Sequence, residues 1–311
     1  MNTIKKYFLL SLSAGLLLLA VVVLFFGRTF PVVWAKSYLV QISFVVLVFS
    51  LAMIILKKWK EFFVSFASFL VIFSLFFPYL RNIHLPVSNE KNTIKVFQFN
   101  ILKGNSHKEE TIQLIKNENA DVVMLEEVNA EWGKLLEESM KTQYPYYKII
   151  TREDFYGMAL FSKVPLSGVE IVDVISHPGI TALINTESSR IRIFGVHTKA
   201  PTTASNLELR NEQIRFLGET IGKYDDPVLV MGDFNAVPWD DVMVEFVEKT
   251  GLTDSRSTLS PTFPSWGGFM KVPIDYIFHS SGIMVYEIGV VENEWSDHYG
   301  IKAEISSEKL K

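Results

Sequence analysis

The sequence contains no cysteine. Disulfide bonds, thiolate catalysis and cysteine metal sites are therefore excluded. This absence does not fix the compartment, although it is compatible with an oxidising one. Acidic residues are nearly missing from the first 80 positions, where Glu61 stands alone against seven Lys or Arg. In residues 81–311 the balance reverses, with 23 Lys or Arg against 33 Asp or Glu, a net of −10. No tract of interleaved basic and aromatic residues follows Leu80. Both features weigh against a sequence-blind nucleic-acid binder, whose affinity comes mostly from phosphate contacts. They do not exclude one, because a bound divalent metal offsets local charge. Internal repeats and low-complexity tracts are also lacking. A chain of 311 residues then holds one good-sized domain plus an appendage.

Apolar residues are abundant at the start of the chain. Three uncharged runs occupy Tyr7–Gly27, Ser37–Leu56 and Phe62–Leu80. At about 1.5 Å of rise per residue, each is long enough as a helix to cross a hydrocarbon core of about 30 Å. The pattern predicts a membrane anchor over 1–80 with three transmembrane helices, near 7–27, 37–56 and 62–80. A cleaved signal peptide is the plainer reading of the first run, but signal cores are shorter and two more runs follow at once. Ser65, Ser68 and Ser74 dilute the third run, whose alternative is an interfacial helix. Lys5 and Lys6 precede the first run, and Lys57, Lys58 and Lys60 separate the second from the third. The first loop has only Arg28 and Lys36. This bias directs the N-terminus and second loop inside, and everything after Leu80 outside. Trp34, Tyr38, Trp59 and Tyr79 stand at run ends, where amphipathic rings favour the interface. Residues 81–92, with Pro86, Ser88 and Asn89, read as a linker. The expectation is a multi-pass cell-membrane protein with an extracytoplasmic catalytic domain over 93–311.

From Thr93 onward the pattern changes. Ile94–Phe99, Val122–Leu125, Met158–Phe161, Ile191–Val196 and Val228–Met231 are apolar runs of strand length. Glu109–Glu118 and Leu207–Ile221 carry apolar residues at helical spacing. Strand-like runs return at Ile274–Phe278, Met284–Val291 and Tyr299–Ile305. This mixture predicts stacked sheets covered by helices.

Polar residues cluster at the ends of those strands. Asn100 ends the first, Glu126 and Glu127 the second, His197 another, and Asp233-Phe-Asn235 the next. Asp275 sits within Pro273-Ile-Asp-Tyr-Ile-Phe, and Asp297-His298 precedes the last strand. Each has a plain reading alone. An acid after an apolar strand is usually a turn or a cap. Asp233 in Gly-Asp-Phe-Asn builds an Asx turn equally well. A lone histidine such as His197 is more often structural. Asp275 is different, because an unpaired carboxylate inside an apolar strand is costly. It needs a partner, and a histidine suits. Six strand ends that each offer an oxygen or imidazole form one constellation, and strand ends are where sites converge.

The ordered segments Phe97-Gln-Phe-Asn100, Asp121-Val-Val-Met-Leu-Glu-Glu127, Tyr156-Gly-Met-Ala-Leu-Phe-Ser-Lys163, Gly195-Val-His197, Gly232-Asp-Phe-Asn235, Ile274-Asp-Tyr-Ile-Phe278 and Ser296-Asp-His298 resemble the endonuclease/exonuclease/phosphatase superfamily. The resemblance spans Ile94 to Ile305. It implies the deoxyribonuclease I-like α/β fold, a four-layer sandwich with two central mixed sheets. It also implies a metal-dependent hydrolase of phosphoester bonds. The metal would be Mg²⁺, with Mn²⁺ as its substitute, held by Asn100, Glu127 and Asp297; hard cations favour such oxygen donors. Glu126 takes the place of a glutamine common in the family and is expected to point away from Glu127. Asp233 would orient or deprotonate the attacking water, assisted by Asn235. His298, oriented by Asp275, and His197 would bind the phosphate, with Tyr156 as a further contact. Some family members carry an acid where Leu102 stands, so a second metal at that position is not implied.

Fold cannot choose the substrate. A linker of about ten residues keeps the domain within about 35 Å of the bilayer. That tether favours a phosphorylated lipid or polyprenyl phosphate, and the layout resembles bacterial three-span proteins associated with teicoplanin resistance. The alternative is an extracytoplasmic nuclease of the same fold. A catalytically inactive binding or scaffold protein is a third reading, which the complete residue set opposes. Protein partners are not indicated.

Overall fold

The computed structural model describes residues 3–81, 93–185 and 190–307. The linker expected over 81–92 lies outside them, apart from Arg81, which ends a helix. The chain divides into two compact units.

The first unit contains helices α1 (Thr3–Phe26), α2 (Val32–Ser37), α3 (Leu39–Ile55) and α4 (Trp59–Arg81). Two stretches are long and apolar enough to cross a membrane: Tyr7–Phe26, of 20 residues, and Trp59–Leu80, of 22. The middle run behaves differently from the three-span expectation. Its helix, α3, has 17 residues, because the chain breaks at Tyr38, whose N–H bonds Ala35 and Lys36 carbonyls and ends α2. At about 1.5 Å per residue α3 covers about 25 Å. The serines of the last run are accommodated: Ser65 and Ser68 are buried and bond the carbonyls of Glu61 and Val64. Ser50 Oγ on α3 lies 2.8 Å from Ser65 Oγ on α4. Small polar residues at such contacts let apolar helices approach closely.

The second unit is built on two six-stranded sheets. Its strands are β1 (Ile94–Asn100), β2 (Val122–Glu126), β3 (Tyr146–Ile150), β4 (Met158–Ser162), β5 (Leu166–Val174), β6 (His177–Asn185), β7 (Arg190–His197), β8 (Val228–Asp233), β9 (Thr253–Asp254), β10 (Asp275–His279), β11 (Ile283–Val291) and β12 (Gly300–Ser307). Helices α5 (Lys108–Glu118), α6 (Ala130–Met140), α7 (Ala204–Ile221) and α8 (Asp241–Thr250) accompany them. One sheet runs β11-β12-β1-β2-β4-β3 and the other β5-β6-β7-β8-β10-β9. Both are mixed: β1–β2 and β7–β8 are parallel pairs within otherwise antiparallel sheets.

Strand alternation builds the layers. Val96, Met124 and Leu160 on one sheet meet Ile193, Leu229, Met231 and Ile277 on the other in a buried core between the sheets. The opposite faces pack outward. Phe97, Phe99 and Val123 lie against Ile112 and Ile115 of α5 and Trp132 and Leu136 of α6. Phe194, Val230 and Phe278 lie against Ile214 and Leu217 of α7 and Val242 and Phe246 of α8. Helix, sheet, sheet, helix make four layers, as the resemblance implies. Each outer core buries several aromatic rings, and each fully buried large side chain contributes about 1.5–3 kcal/mol.

The two parallel pairs bring four strand ends to one edge. Asn100 registers with Glu126, and His197 with Asp233, which in turn faces Asp275. The sheets approach closely here. A Cβ on Gly195 would lie 2.2 Å from Met124 Cε of the other sheet, and within its own sheet one on Gly232 would lie only 1.8 Å from the Val196 carbonyl oxygen. Glycine is what permits the backbone of Gly-Asp-Phe-Asn to lie against β7.

Candidate active site

The inner face of each strand reads apolar until the shared edge, where it turns polar. On β1 the order is Val96, Gln98, Asn100; on β2 it is Val122, Met124, Glu126; on β8 it is Leu229, Met231, Asp233. The period of two therefore delivers these side chains, with His197 and Asp275, into one inter-sheet layer. All of them are buried.

Asp233 is at the centre. Its Oδ1 accepts the Asn235 N–H at 2.8 Å, so the Asx turn does form. Its Oδ2 is 3.5 Å from His197 Nε2 and 3.6 Å from His298 Nε2. One carboxylate thus builds the turn and faces both imidazoles. The two histidines are in opposite charge states. Burial would lower the His298 pKa, but the Asp275 and Asp233 carboxylates outweigh it and hold it at about 10. Its Nδ1–H donates to Asp275 Oδ2 at 2.8 Å. Burial would raise Asp275; the His298 charge and hydrogen bond reverse that and keep it ionised. His197 is lowered to about 3, first by burial and then by cationic His298. It is neutral at pH 7, and its Nδ1 is buried with no protein partner. Asp233 itself is raised, first by burial and then by Asp275.

Glu127 lies just beyond β2, in the left-handed region at φ 65°. This is an uncommon conformation for a side chain other than Gly, Asn or Asp. It turns the carboxylate away from Glu126. Glu127 Oε2 accepts the Lys103 N–H at 2.9 Å, and Oε1 lies 3.3 Å from Asn100 Nδ2. Burial raises its pKa. Glu126 takes another direction: strand alternation sends it into the inter-sheet layer beside Gln98 and Asp275. Glu126 is fully buried, accepts from Gln98 Nε2 at 3.0 Å, and is held well above the usual carboxylate range by burial and then by Asp275 and Asp233. Gln98 Nε2 also reaches Asp275 Oδ1 at 3.1 Å.

Two oxygens fit a hard cation. Asp297 Oδ1 is buried and has no hydrogen-bond partner, although such atoms are normally satisfied. Glu127 Oε1 has only the long contact with Asn100. Asn100 Oδ1 accepts the Leu102 N–H and keeps a second lone pair, while its Nδ2 faces Glu127 and Asp233. Asp233, Asp275 and His298 also bring one atom each within 4.8 Å of the others. Asp275 and His298 are already paired as carboxylate and imidazolium, which leaves that trio suited to holding protons.

Asn235, expected to place the attacking water or bind the phosphate, has its backbone and its Nδ2 engaged by the fold. Its Nδ2 donates to the Thr198 carbonyl at 3.0 Å, and its own carbonyl accepts from Arg210 Nη1. In this arrangement it braces the loop after β8 against the loop after β7. Tyr156 is buried, with its ring 5.0 Å from that of His197. Burial raises its hydroxyl to about 12.

Two residues had no local signal. His177 stacks on Tyr156 at 3.6 Å with a 13° tilt. Its Nδ1 accepts from Gln213 Nε2 at 2.7 Å, and Gln213 Oε1 takes the Lys199 N–H. His177 is lowered to about 4 by burial and then by Lys199. Gln213 comes from α7, so no short motif joins them. The basic residues near His197 in sequence separate in space. Arg190 and Arg192 both pair with Asp226, and Arg192 registers with Val228 at the far end of β7 and β8. Lys199 stays beside the site, 5.0 Å above the Tyr156 ring.

Buried carboxylates, a cationic histidine and open oxygen donors meet at one edge of a two-sheet α/β sandwich. A sequence profile described as the Endonuclease/Exonuclease/phosphatase family matches residues 97–298, and the chain belongs to that family. Solved structures share the fold. An endonuclease/exonuclease/phosphatase from Beutenbergia cavernae DSM 12333 is 18% identical, with TM-score 0.58, covering 70% of this chain and 72% of that one. A family protein from Bacteroides thetaiotaomicron is 19% identical, with TM-score 0.57, covering 71% and 100%. D. rerio TDP2, complexed with a single-strand DNA product, is 15% identical, with TM-score 0.60, covering 70% and 100%.

Proposed function

We propose that this chain is a membrane-anchored, divalent-metal-dependent phosphoesterase whose substrate is a lipid or polyprenyl phosphate. The observation that carries the chemistry is the Asp233 carboxylate held between neutral His197 and cationic His298. Glu127 and Asp297, with the second lone pair of Asn100, would hold the Mg²⁺ or Mn²⁺. The bound cation supplies Lewis-acid stabilisation of charge on the phosphoryl oxygens. Asp233, raised by burial, orients the attacking water and accepts its proton. His298, kept cationic by Asp275, binds the oxygen on which charge develops. Neutral His197 donates a hydrogen bond to the same group from the opposite side, and Tyr156 closes that flank.

Two features support a bilayer substrate. Two helices are long and apolar enough to cross a membrane, and α3 is read here as a third, shorter span. With the basic bias of the short loops, three spans leave residues 93–311 outside the cell. Arg190 and Arg192, close to His197 in sequence, are committed to Asp226 at the far end of β7, which leaves Lys199 as the basic side chain beside His197. A nuclease of the same fold is the second reading, favoured by the DNA product bound in the D. rerio structure. A phosphate-release screen over polyprenyl, phosphatidyl and nucleic-acid substrates, with and without EDTA, tests the choice. Release from the lipid class, lost with EDTA and in Asp233→Ala, is the expected result. Nicking of plasmid with no release from either lipid class would transfer the conclusion to the nuclease.

A further inference from the structure

A chain of contacts leads from Asp233 to His177. Asp233 Oδ2 is 3.5 Å from His197 Nε2, the His197 ring is 5.0 Å from that of Tyr156, and the Tyr156 ring is 3.6 Å from that of His177. His177 opens β6 and is 7% exposed. Its tautomer is fixed from the backbone. Gln213 Nε2 donates to the Val174 carbonyl at 3.1 Å and lies 3.3 Å from that of Ile175, while Gln213 Oε1 accepts the Lys199 backbone N–H at 2.8 Å. Turning the amide over would set its oxygen against two carbonyls and its NH₂ against an N–H, so it has one orientation. The nitrogen 2.7 Å from His177 Nδ1 is therefore a donor, and Nδ1 accepts. The imidazole is then neutral, with its proton on Nε2. Its pKa agrees, lowered to about 4 by burial and then by Lys199. Among the described residues Nε2 has no hydrogen-bond partner, and an unmet buried donor is costly.

Lys199 adds a positive charge at the same ring. Its ammonium lies 5.0 Å above Tyr156 and forms no ion pair among the described residues. Other cations nearby are already committed. Arg152 holds Asp154 through two hydrogen bonds, and Lys103 Nζ bonds the Glu153 carbonyl. Around Tyr156 the fold thus presents one N–H donor and one ammonium, and among the described residues it supplies no acceptor for either. Such a pair fits an anionic oxygen ligand.

We infer that His177 and Lys199 bind a second phosphate, joined directly to the one attacked, so that the bond cleaved is a phosphoanhydride and the substrate a lipid diphosphate. The inference deepens the proposed function and rests on it. Position decides which phosphate they take. The attacked group belongs at Asp233, which faces His197 and His298, whereas His177 and Lys199 meet the Tyr156 ring instead. The water oxygen bonds the terminal phosphorus, and its proton passes to Asp233. The bond from that phosphorus to the bridging oxygen breaks, and the electron pair stays on the bridging oxygen. The leaving group is the lipid monophosphate. Its added negative charge is met by the Lys199 ammonium and by the His177 Nε2–H, already oriented before reaction. A monophosphate would leave this pair without a partner. A polynucleotide brings neighbouring phosphates too, but they recur along the strand and call for a row of cations. One ammonium and one N–H match one phosphate.

The test uses the full chain in detergent micelles with Mg²⁺. Initial phosphate release is compared for farnesyl diphosphate and farnesyl monophosphate, which differ by one phosphate, and nicking is followed on supercoiled plasmid. The unaltered chain is expected to favour the diphosphate in kcat/KM. In Lys199→Met and in His177→Phe that preference is expected to fall by about tenfold or more, the worth of one hydrogen bond to a charged group. Phe keeps a ring to stack on Tyr156. Lys199→Met keeps the backbone N–H that Gln213 accepts, so it stands as a test even where His177→Phe fails to fold. Lys199→Arg is expected to retain most of the preference. Equal kcat/KM on the two farnesyl substrates, or an equal fall on both in the variants, overturns the inference and leaves the lipid reading intact. Plasmid nicking with no release from either farnesyl substrate removes the lipid reading itself. Nicking that then falls in Lys199→Met would assign the pair to a neighbouring phosphate of a polynucleotide.

Discussion

Asp275 shows how one buried carboxylate sets a charge state elsewhere. It makes no contact with solvent, yet it keeps His298 cationic to about pH 10. An opposite charge at this range shifts a histidine by about 1–3 pH units. Asp275→Asn is therefore expected to lower the His298 pKa by about that amount, read as a downward move of the alkaline limb of the kcat/KM profile. An unmoved limb would detach His298 from Asp275. Glu126 makes the opposite case. Its folded pKa is raised by burial, so the folded state favours the protonated form. Stability is then highest below the unfolded carboxylate range and declines as pH rises from there up to the raised folded pKa. Glu126→Gln removes that decline. The urea midpoint of the variant is expected to exceed that of the natural chain, more at pH 8 than at pH 5. Equal gains at both pH values would show that Glu126 is not the titrating group. Both residues were named in the sequence, but their protonation was not legible there. It depends on which carboxylates share the inter-sheet layer.

Within the elements, alternation carried most of the information. β1, β2, β7, β8 and β10 are visible as apolar runs because both faces of these strands are buried. Other elements are weaker in sequence. Most of β5 is exposed, and β6 opens with His177-Pro178-Gly179, which reads as a turn. Pro178 is tolerated because it pairs with Asp173 of β5 ahead of the point where β6 begins to pair with β7 at Ile180. α6 begins at Asn129, whose Oδ1 caps the Trp132 N–H, a signal hidden among several polar residues. At this scale the sharpest constraint is Gly232. A methyl group there meets the Val196 carbonyl at 1.8 Å, and neither strand can retreat without opening the parallel pair. Gly232→Ala is expected to cost about 3 kcal/mol or more, above ordinary overpacking. A urea midpoint close to that of the natural chain would mean that β7 and β8 separate easily.

For the whole molecule, the proposed membrane anchor makes the side on which residues 93–311 lie the question with the largest consequence. The proposed topology predicts that protease added to intact cells removes residues 93–311, and that lysis adds no further digestion. Protection until lysis would reverse the orientation and with it the source of the substrate. The sequence by itself determined the main buried strands and which of their residues face inward, because a period of two fixes that; the two-sheet architecture was implied by the resemblance of the ordered motifs to the family. The sequence also determined the apolar character of the first 80 residues, because hydropathy is a property of composition. Only the tertiary structure decided how those residues act. The left-handed turn at Glu127 separates the carboxylate that faces Asn100 from the one that faces Gln98. Contacts between residues distant in sequence join His177 to Gln213 and Asn235 to Thr198, and draw Arg190 and Arg192 away to Asp226. Charge, burial and partnership are properties of neighbours in space, and a chain read in order does not contain them.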